Sequence, residues 1–588
     1  MRGSGTWGCI VNERVDTLVR GTLVNVNTGN VEDCAVAIDD GIIVALEERP
    51  AERELHANYV TPGLIDAHMH VESSMVTLPQ YAEAVVPNGV TSVVHDPHEI
   101  ANVVGAAGVR AVIQDAEQTP LKARFTVPSS VPASDLQDCG ATLPAEMVTD
   151  LLEEPNVIAL GEVMDVPGLV AGDEDVHAKI RAARERGLTV DGHMPQVTGD
   201  ELQEAAQYLD NDHESITLAE AREKADVGLR VYLREGSSSK NLAELLPLTE
   251  EVDTRRLSFC TDDREVTDIV DEGGVDFAVR KAIREGADPV DAVQMATINT
   301  AESYDLPFGR VEPGAPADLV LLDDLDTWRV DNVLIDGELN PTEDGTTPSA
   351  TNLPTDTVES PSVSPSDLAI TAPDGRSRTA RVRVIDAVGG LQTEPMIAEV
   401  PVQEGTLLPN PDEDLLSLAV IERHGGNGGV GRGFVHGLEL DRGAVGSTIA
   451  HDAHNCVVAG VDHASMAAVA NKLEELGGGV VAYDPVDDEF VSLALPVAGL
   501  MSNEPIETVY EQFETVEAHT AGIGMAKTGL MELSFLALEV IPTYRLTNNG
   551  LVDVTNGQYV DVMVSEHAGE QGSPDVDRSA PDDSVSEP

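Results

Sequence analysis

The chain has few basic residues and few cysteines, and each shortage argues against a class of protein. It contains 36 lysine and arginine residues against 104 aspartate and glutamate residues, a formal net charge of −68 over 588 residues. Nucleic acids and anionic membranes are bound through basic surfaces, so neither is expected as a partner. The acidic residues stand singly among aliphatic ones, and hydrophobic residues make up 41% of the chain, which favours a folded protein over a disordered one.

The same excess of acidic residues indicates the conditions in which the chain folds. Molar salt shortens the Debye length to about 3 Å and screens the repulsion between surface carboxylates. A folded chain with a net charge of −68 is therefore typical of organisms with very high internal salt. We expect a halophilic source, and an archaeon in particular.

Cysteine is too scarce for a structural role. The five cysteines are odd in number, far apart and without a C-x-x-C pair, so neither a disulfide framework nor a cysteine-based zinc site is expected. The chain also lacks an apolar run long enough to cross a bilayer, and its N-terminus lacks the basic-then-apolar pattern of a signal peptide. These absences predict a cytoplasmic protein.

What the chain does contain, from Tyr59 to Asn299, is a repeated alternation of short apolar runs and helical stretches. Eight runs have the composition of buried strands: YVTPGLIDAH, TSVVHDPH, ARFTVPSS, NVIALGEVMD, LTVDGHMP, LDNDHES, RVYLREGS and LSFCTDD. Segments between them, such as VHAKIRAARERG, carry apolar residues at helical spacing and end in glycine. This alternation predicts an α/β fold, a (β/α)8 TIM-like barrel over residues 59–299.

Other segments flank the predicted barrel. Residues 16–58 contain apolar runs around Asp40-Gly41, a hairpin signal, and residues 300–340 regain β character, so we expect the two segments to form one small composite β-domain. Residues 341–366 are rich in Thr, Ser, Pro and Asp and are expected to be a linker. A C-terminal α+β domain is expected over residues 367–565, followed by an acidic disordered tail over residues 566–588.

Histidines and carboxylates stand where the predicted barrel strands end. They are His68, His70, Glu162, His193, His213 and Asp262. Barrels of this kind hold their active sites at the C-terminal ends of the strands, and residues two apart in a strand point the same way. Imidazoles and carboxylates together are ligands for divalent transition metals. A single histidine in such a place is more often structural, but the full set predicts a metal site.

The motifs around these residues resemble a known family. The run VTPGLIDAHMH, a histidine after strands five and six, and an aspartate after strand eight resemble the amidohydrolase superfamily. A longer series is similar to the adenine deaminase family: HMHVESSM, HDPHEIANV, GEVMD, DGHMP, DHES, LREGS, CTDDR, AVIERHGG, HDAHN and AGLMS. The likeness runs from about Leu18 to about Val564 and includes the C-terminal domain, which most amidohydrolases lack.

The resemblance implies a metallo-hydrolase barrel that holds two divalent ions. His68, His70 and Asp262 would hold the first ion, and His193 and His213 the second. Ligands of nitrogen and oxygen without thiolate suit manganese, iron(II) or zinc, and the resemblance favours manganese.

The resemblance also implies the reaction. Glu162 would stand between the ions, where many relatives have a carboxylated lysine. The substrate would be adenine, hydrolysed to hypoxanthine and ammonia by a hydroxide that the ions generate from water. Asp262 would take the proton of the hydroxide and pass it to the leaving amine.

Further candidates lie beside the ligand motifs. Glu72, two residues past His70, is a candidate proton donor or substrate contact, or else a structural carboxylate. Residues after strands two and seven are candidates for substrate binding, with loop ordering as the alternative: His95, His98, Arg234, Glu235 and Ser237. Asp263 is expected to point away from Asp262, because successive residues of a strand face opposite sides.

A second polar cluster belongs to the C-terminal domain and consists of Glu422, His424, His451, His454 and Asn455. Its H-x-x-H spacing fits a metal site, but we favour a polar network that closes the active site or an interface. A homodimer is also expected, as is common for such barrels.

Two other functions compete with adenine hydrolysis. The first is another amidohydrolase reaction, on a cyclic amide or a different 6-aminopurine; Glu162 in place of lysine and the C-terminal domain argue against it. The second is a non-catalytic barrel, which the complete ligand set disfavours. Zinc deaminases with a P-C-x-x-C signature are excluded, because the chain has no C-x-x-C.

Overall fold

The structure is a computed structural model, and it describes residues 14–342, 352–372, 377–526 and 529–564. The predicted acidic tail, residues 566–588, lies outside the described residues. Residues 343–351 of the predicted linker also lie outside them. No helix within the described ranges is long and apolar enough to cross a membrane.

The chain begins with four strands of one sheet: β1 Val15–Asn25, β2 Asn30–Asp39, β3 Ile42–Ala45 and β4 Ala51–Pro62. Strand β1 pairs antiparallel with β2 and parallel with β4. The turn between β2 and β3 is the Asp40-Gly41 pair, whose φ angles of 49° and 75° are both positive. Tight hairpin turns of this kind need positive φ at both central residues, which glycine and aspartate tolerate.

Eight short parallel strands follow. They are β5 Leu64–Met69, β6 Val90–His95, β7 Lys122–Val127, β8 Val157–Val163, β9 Thr189–Gly192, β10 Asn211–Asp212, β11 Arg230–Arg234 and β12 Leu257–Cys260. Strands β5 to β9 form one parallel sheet and β10 to β12 a second. The amide of Asp210 donates to the carbonyl of Val190 at 3.0 Å, which joins the sheets on one side. On the other side, the amide of Asp262 donates to the carbonyl of His68 at 3.0 Å.

Helices connect and cover these strands. They are α1 Leu78–Val85, α2 His98–Val104, α3 Ala106–Asp115, α4 Ala145–Leu151, α5 Val166–Ala171, α6 Glu174–Glu185, α7 Gly199–Ala205, α8 Leu218–Asp226, α9 Leu242–Leu245, α10 Val266–Asp271, α11 Val275–Arg284, α12 Pro289–Met295 and α13 Ile298–Ser303. Helix α6 shows why such a segment becomes a helix. The Asp173 side chain caps its N-terminus by accepting from the amides of Asp175 and Val176, and Ile180 and Ala183 are buried on one face.

Three strands after the helices return to the first sheet: β13 Leu319–Asp324, β14 Arg329–Ile335 and β15 Glu338–Leu339. Strand β13 pairs antiparallel with β4, so the sheet has the order β15-β14-β13-β4-β1-β2-β3. Segments on both sides of the parallel strands thus form a single seven-stranded sheet.

The C-terminal part is built on a ten-stranded sheet: β16 Ile370–Thr371, β17 Thr379–Gly389, β18 Gln392–Gln403, β19 Thr406–Leu407, β20 Leu416–Ile421, β21 Val430–His436, β22 Ala444–Ser447, β23 Cys456–Gly460, β24 Gly479–Asp484 and β25 Glu489–Ala494. A small three-stranded sheet follows: β26 Tyr544–Thr547, β27 Gly550–Asp553 and β28 Gln558–Tyr559. The helices of this part are α14 His463–Leu476, α15 Ile506–Gly522 and α16 Gly529–Phe535.

The C-terminal part packs directly on the parallel strands and their helices. One hydrophobic core contains residues of both, such as Leu78 and Val266 from the first and Val497 and Phe513 from the second. Residues 352–366 of the predicted linker are also docked: Val358 and Val363 are buried against α14. Because one core spans both parts, the C-terminal part has a fixed position over the strand ends.

Candidate active site

The predicted metal ligands come together at the C-terminal ends of the parallel strands. His68 lies in β5 and His70 directly after it, Glu162 lies in β8, and the others follow β9, β10 and β12: His193, His213 and Asp262. Parallel strands bring their carboxyl ends to one edge, and this is why residues far apart in sequence meet there.

The first two histidines converge on one point. Nε2 of His68 and Nε2 of His70 are 3.2 Å apart. They lie 2.7 and 2.9 Å from Oε1 of Glu162, and 3.4 and 3.1 Å from Oδ1 of Asp262. Nδ1 of His70 donates to the carbonyl of Asp96 at 2.9 Å, which leaves Nε2 of the neutral ring with its lone pair. The group therefore offers four ligand atoms to one cation.

Glu162 connects this group to the second pair of histidines. Its Oε2 lies 2.8 Å from Nδ1 of His193, and its Oε1 lies 3.7 Å from Nε2 of His213. The backbone amide of Glu162 donates to the Asp96 carboxylate at 3.1 Å, which fixes the end of β8. A carboxylate that reaches both imidazole pairs is the arrangement that bridges two ions about 3.5–4 Å apart.

Several buried atoms of this cluster make no well-aligned hydrogen bond within the described residues. They are Oε1 of Glu162, Nδ1 of His193 and Nε2 of His213. Buried polar atoms without partners are costly, and a cation at each histidine pair would give them partners. The residues present therefore fit two divalent cations.

The charges of the cluster are strongly coupled. Burial opposes the imidazolium form of His68, but the Glu162 and Asp262 carboxylates raise its pKa to about 10. Burial likewise opposes ionisation of Glu162, but His193, His68 and His213 hold its pKa well below the ordinary range. Protons and metal ions compete for the same lone pairs, so these sites take up cations at the expense of protons.

Arg234, at the end of β11, orders the carboxylates around the ligands. Its Nη1 donates to Oε1 of Glu214 and to Oδ2 of Asp262, and its Nη2 donates to Oε2 of Glu214 at 3.1 Å. The guanidinium is buried, which opposes its charge, but the two carboxylates raise its pKa above the ordinary value. Arg234 is therefore positioned to orient both carboxylates and to help keep the pKa of Asp262 well below its ordinary value.

Asp262 has a left-handed backbone with a φ of 59°. Strand alternation ends at such a residue, so the next side chain is not forced to the opposite face. Asp263 accordingly lines the same cavity as Asp262, contrary to the expectation that it points away. Its carboxylate also accepts a hydrogen bond from the Ser73 hydroxyl at 2.5 Å.

The other candidates separate into two groups. His98 and Arg234 line the cavity above the ligands. Glu235 and Ser237 do not: Lys281 donates to the Glu235 carboxylate at 2.7 Å, and the Ser237 hydroxyl donates to Asp268 at 2.5 Å. Both side chains are directed to the helices outside the strands.

Glu72 and His95 lie behind the ligands and do not line the cavity. The Glu72 carboxylate accepts from the amide of Ile100 at 3.3 Å and lies 3.6 Å from Nε2 of His95. Burial raises the pKa of Glu72 to about 7 and lowers that of His95 to about 3. The expected position of Glu72 in the pocket is corrected accordingly: its short helix, Val71–Ser74, turns it inward toward α2.

The cavity above the ligands has two kinds of wall. Polar groups of the barrel strands form the floor. The C-terminal part supplies the opposite wall, which is mostly apolar: Leu391, His451, Asp452, Phe535, Leu538, Val540 and Ile541. The site is thus closed by residues more than a hundred positions beyond the last parallel strand.

The five residues of the predicted C-terminal polar cluster do not lie together at one site in the structure. His451 and His454 both contact the carboxylate of Glu99, the residue after His98 in helix α2. Glu422 instead accepts from loop amides, including that of Gly428 at 2.9 Å. His424 and Asn455 have backbone partners, the carbonyls of Ala453 and Asp138, each at 2.8 Å. Only the two histidines bound to Glu99 belong to the active-site region.

Sequence analysis did not single out several residues of the site. They are Asp96, Glu99, Glu214 and Asp452. Each stands beside a histidine in a motif that had been noted, HDPHE, DHES or HDAHN. That adjacency was the available signal, but side-chain directions beyond a strand end do not follow from strand periodicity.

Comparison with known proteins identifies the class of fold and site. Residues 59–340 match the model of the amidohydrolase family, and residues 390–558 match the adenine deaminase C-terminal domain. An N-acetyl-D-glucosamine-6-phosphate deacetylase from Mycobacterium smegmatis is among the similar solved structures, with a TM-score of 0.43 and 19% identity over 55% of this chain and 99% of that one. The family match alone assigns residues 59–340 to the amidohydrolase class.

Relatives that match nearly the whole chain assign it to a narrower family within this class. An adenine deaminase of Desulfatibacillum aliphaticivorans is 40% identical over 92% of this chain and 96% of its own length. One of Methanothermobacter thermautotrophicus is 39% identical over 93% of this chain and 100% of its own length. The chain belongs to the adenine deaminase family.

Proposed function

We propose that the protein hydrolyses adenine to hypoxanthine and ammonia. One observation carries this proposal: the Glu162 carboxylate lies between two histidine pairs, with Oε1 at 2.7 and 2.9 Å from His68 and His70 and Oε2 at 2.8 Å from His193, beneath an apolar-walled cavity. The relatives that match nearly the whole chain are adenine deaminases, which supports the choice of substrate.

The geometry supports the following ligand roles. His68, His70 and Asp262 would hold one divalent cation, and His193 and His213 would hold a second, with Glu162 between them. When bound, the two cations would lower the pKa of water to about 7, so that a nucleophile exists at neutral pH.

Side chains of the protein would carry out the proton transfers and bind the substrate. Asp262, whose carboxylate Arg234 orients, would accept the proton of the attacking water and would pass it to the leaving amine. Attack at C6 of adenine removes ring aromaticity, so N1 needs a hydrogen bond or a proton. Arg234 lines the cavity and is positioned to donate that contact. Glu72, behind His95, would position the Val71–Ser74 helix and would not touch the substrate.

The proposal also includes the native metal, the closure of the barrel, the source and the assembly of the protein. Manganese is the proposed native metal, with iron(II) and zinc as alternatives, since the ligands are nitrogen and oxygen. The hydrogen bonds from Asp210 to Val190 and from Asp262 to His68 support a closed (β/α)8 barrel. The net charge of −68 supports a halophilic source. A cytoplasmic location, a role in adenine catabolism and purine salvage, and a homodimeric assembly are further parts of the proposal.

The test is an assay of the purified protein with adenine and manganese in high-salt buffer. Loss of adenine, gain of hypoxanthine and release of ammonia are expected for the wild type and should be abolished in Asp262→Asn. Asp226→Asn, an exposed change at the end of α8, is the charge-matched control and should remain active. If the wild type binds two metal ions but leaves adenine intact, the substrate must be sought among other 6-aminopurines and cyclic amides.

A further inference from the structure

Lys224 of helix α8 is a fully buried lysine that joins the two chain segments carrying the second pair of predicted metal ligands. We propose that Lys224 is a positioning residue for the second divalent cation, because it fixes the segments of His193 and His213 relative to each other. This inference rests on the two-cation site of the proposed function. It gives a helix outside the cavity control over the occupancy of one cation.

The Lys224 ammonium contacts the sequence neighbours of both histidines. Its Nζ donates to the carbonyl oxygen of Met194 at 2.7 Å and to Oδ2 of Asp212 at 2.7 Å. Met194 directly follows His193, and Asp212 directly precedes His213. One ammonium group therefore connects the residues beside the two ligands.

Asp212 extends this connection to the backbone. Its Oδ1 accepts from the amide of Met194 at 2.8 Å, and its Oδ2 accepts from the amide of Glu214 at 3.0 Å. The carboxylate thus holds the residue after each histidine of the second pair. Since Lys224 donates to the same carboxylate, the lysine and both segments form one hydrogen-bonded unit.

Glu220, one turn before Lys224 in helix α8, repeats the same connection farther along both segments. Nζ of Lys224 donates to Oε1 of Glu220 at 2.8 Å, so each of the three ammonium hydrogens has an acceptor. Oε1 of Glu220 also accepts from the amide of Gln196 at 2.9 Å, and Oε2 accepts from the amide of Ile216 at 3.2 Å. Helix α8 therefore holds both segments through two carboxylates and one lysine.

The first histidine pair is held differently, by backbone hydrogen bonds. The amide of His70 donates to the carbonyl of Asp262 at 3.0 Å, and the amide of Asp262 donates to the carbonyl of His68 at 3.0 Å. In the second pair, each histidine comes one residue after its strand ends, since β9 ends at Gly192 and β10 at Asp212. A change at Lys224 should therefore affect the second pair and leave the first in place.

The burial and charge of Lys224 point to geometry as its contribution. Burial opposes its charge, but Asp212 and Glu220 raise the pKa of the ammonium above its ordinary value. A buried ion pair often contributes no more stability than apolar side chains of similar volume. The directed hydrogen bonds to both segments are what an apolar residue would not supply. Groups that orient metal ligands in this way change metal affinity by about 10- to 100-fold.

Three variants separate positioning from general stability. Lys224→Met keeps the apolar stem but donates no hydrogen bond. Glu220→Gln is milder, because it removes one charge and keeps the contacts of Lys224 to the other two acceptors. Lys122→Met is the matched control: Nζ of Lys122 donates to the carboxylates of Asp318 and Asp336, each at 2.7 Å, at the start of β7 and so at the end of the strand away from the ligands.

The measurement is manganese binding to the metal-free protein in high-salt buffer, followed by calorimetry and electron paramagnetic resonance. Two manganese(II) ions that share a bridging carboxylate are magnetically coupled, so their spectrum differs from that of an isolated ion. His193→Asn, which lacks a ligand of the second pair, gives the reference spectrum for a singly occupied site.

We expect Lys224→Met to bind one ion like the wild type and the second about 10- to 100-fold more weakly. At limiting manganese its spectrum should match that of His193→Asn, and excess manganese should restore both the coupled spectrum and adenine hydrolysis. Glu220→Gln should show a smaller loss for the same ion. Lys122→Met should bind both ions like the wild type.

The role of Lys224 is overturned if folded Lys224→Met binds both ions like the wild type, or if it loses both to the same extent. Equal weakening in Lys224→Met and Lys122→Met also contradicts positioning and assigns Lys224 to stability alone. If Lys224→Met does not fold, Glu220→Gln decides by the same criteria.

Failure of the proposed function has a different signature. A wild type that binds two ions and leaves adenine intact contradicts the substrate, and the occupancies of the variants still decide the role of Lys224. A wild type that binds a single ion contradicts both the two-cation site and the role of Lys224.

Discussion

Arg234 donates from Nη1 to Oδ2 of Asp262, and this contact leaves only Oδ1 of the carboxylate to face His68 and His70. The carboxylate that we propose as the proton carrier is therefore oriented by a residue of the neighbouring strand. The same guanidinium also donates to Glu214, so the buried Arg234 side chain orients two carboxylates.

Replacing Arg234 by lysine should impair catalysis without removing the positive charge. A single ammonium cannot reproduce the fork that contacts both Asp262 and Glu214, so Asp262 loses its fixed direction. Misplacement of a catalytic group by about 1 Å costs about 100-fold, and we expect a loss of that order in kcat/KM for adenine. Steady-state kinetics would measure it. Arg255→Lys, which affects a half-exposed pair with Glu302, is the control, and equal activity of the two variants would contradict the orienting role.

Replacing Glu162 by glutamine should weaken the binding of both cations. The neutral amide removes the negative charge and one of the two oxygens, of which Oε1 contacts His68 and Oε2 contacts His193. Perturbing even the outer shell of a metal site typically costs about 10- to 100-fold in affinity, so a loss of at least this size is expected. Metal content after dialysis against graded chelator is the measurement. Glu174→Gln, an exposed change on α6, should retain two metals; two metals retained by Glu162→Gln would contradict the bridging position.

The stability of the protein should depend on the ionisation of Glu539. Burial raises the pKa of this carboxyl to about 8, above the value of about 4.3 in an unfolded chain. The folded state thus binds the proton more tightly, and the stabilisation is complete below about pH 4.3 and is lost as the pH rises through about 8. Glu539→Gln stays neutral, so its advantage over the wild type should grow as the pH rises from about 4.3 to about 8.

Denaturant unfolding at pH 5.5 and pH 8 in the same salt would test this dependence. We expect the free energy of unfolding of Glu539→Gln to exceed that of the wild type at pH 8 by on the order of 1–3 kcal/mol, and the two to converge at lower pH. Glu511→Gln, an exposed change on α15, should follow the wild type at both values. An identical pH profile for Glu539→Gln and wild type would show that this carboxyl does not stay protonated.

The fold should require salt because of its net charge of −68. At molar salt the Debye length is about 3 Å, whereas at 0.1 M it is about 10 Å, so neighbouring carboxylates repel at low salt. Circular dichroism during dialysis from molar to 0.1 M potassium chloride should report progressive unfolding. Sucrose at equal osmolality, which does not screen charge, should not prevent it. A fold that is unchanged at low salt would contradict the proposed halophilic adaptation.

Much of the first half of the chain was predictable because its determinants are local. The run around Ile65 and Asp66 has the pattern of a buried strand, and His68 and His70 follow it at a spacing of two, so both were expected at one strand end. Helix α6 and the Asp40-Gly41 turn likewise follow from residues next to each other in sequence. The meeting of these strand ends was predictable only because parallel strands share one edge.

Other features were beyond sequence reasoning. Asp263 faces the cavity because Asp262 adopts a left-handed backbone, and strand periodicity does not show where such a residue ends the alternation. Glu235 and Ser237 were expected at the substrate and instead bind Lys281 and Asp268, partners that only helix packing brings to them.

The sequence by itself determined which histidines and carboxylates come together, because such residues at successive strand ends need only local strand direction to converge. The tertiary structure alone decided what closes the cavity. Glu99 and His451 are 352 positions apart and meet only because one hydrophobic core joins the C-terminal part to the parallel strands. No periodicity encodes that contact: it depends on how two folded surfaces pack, and such packing reflects the shapes and burial of many side chains at once.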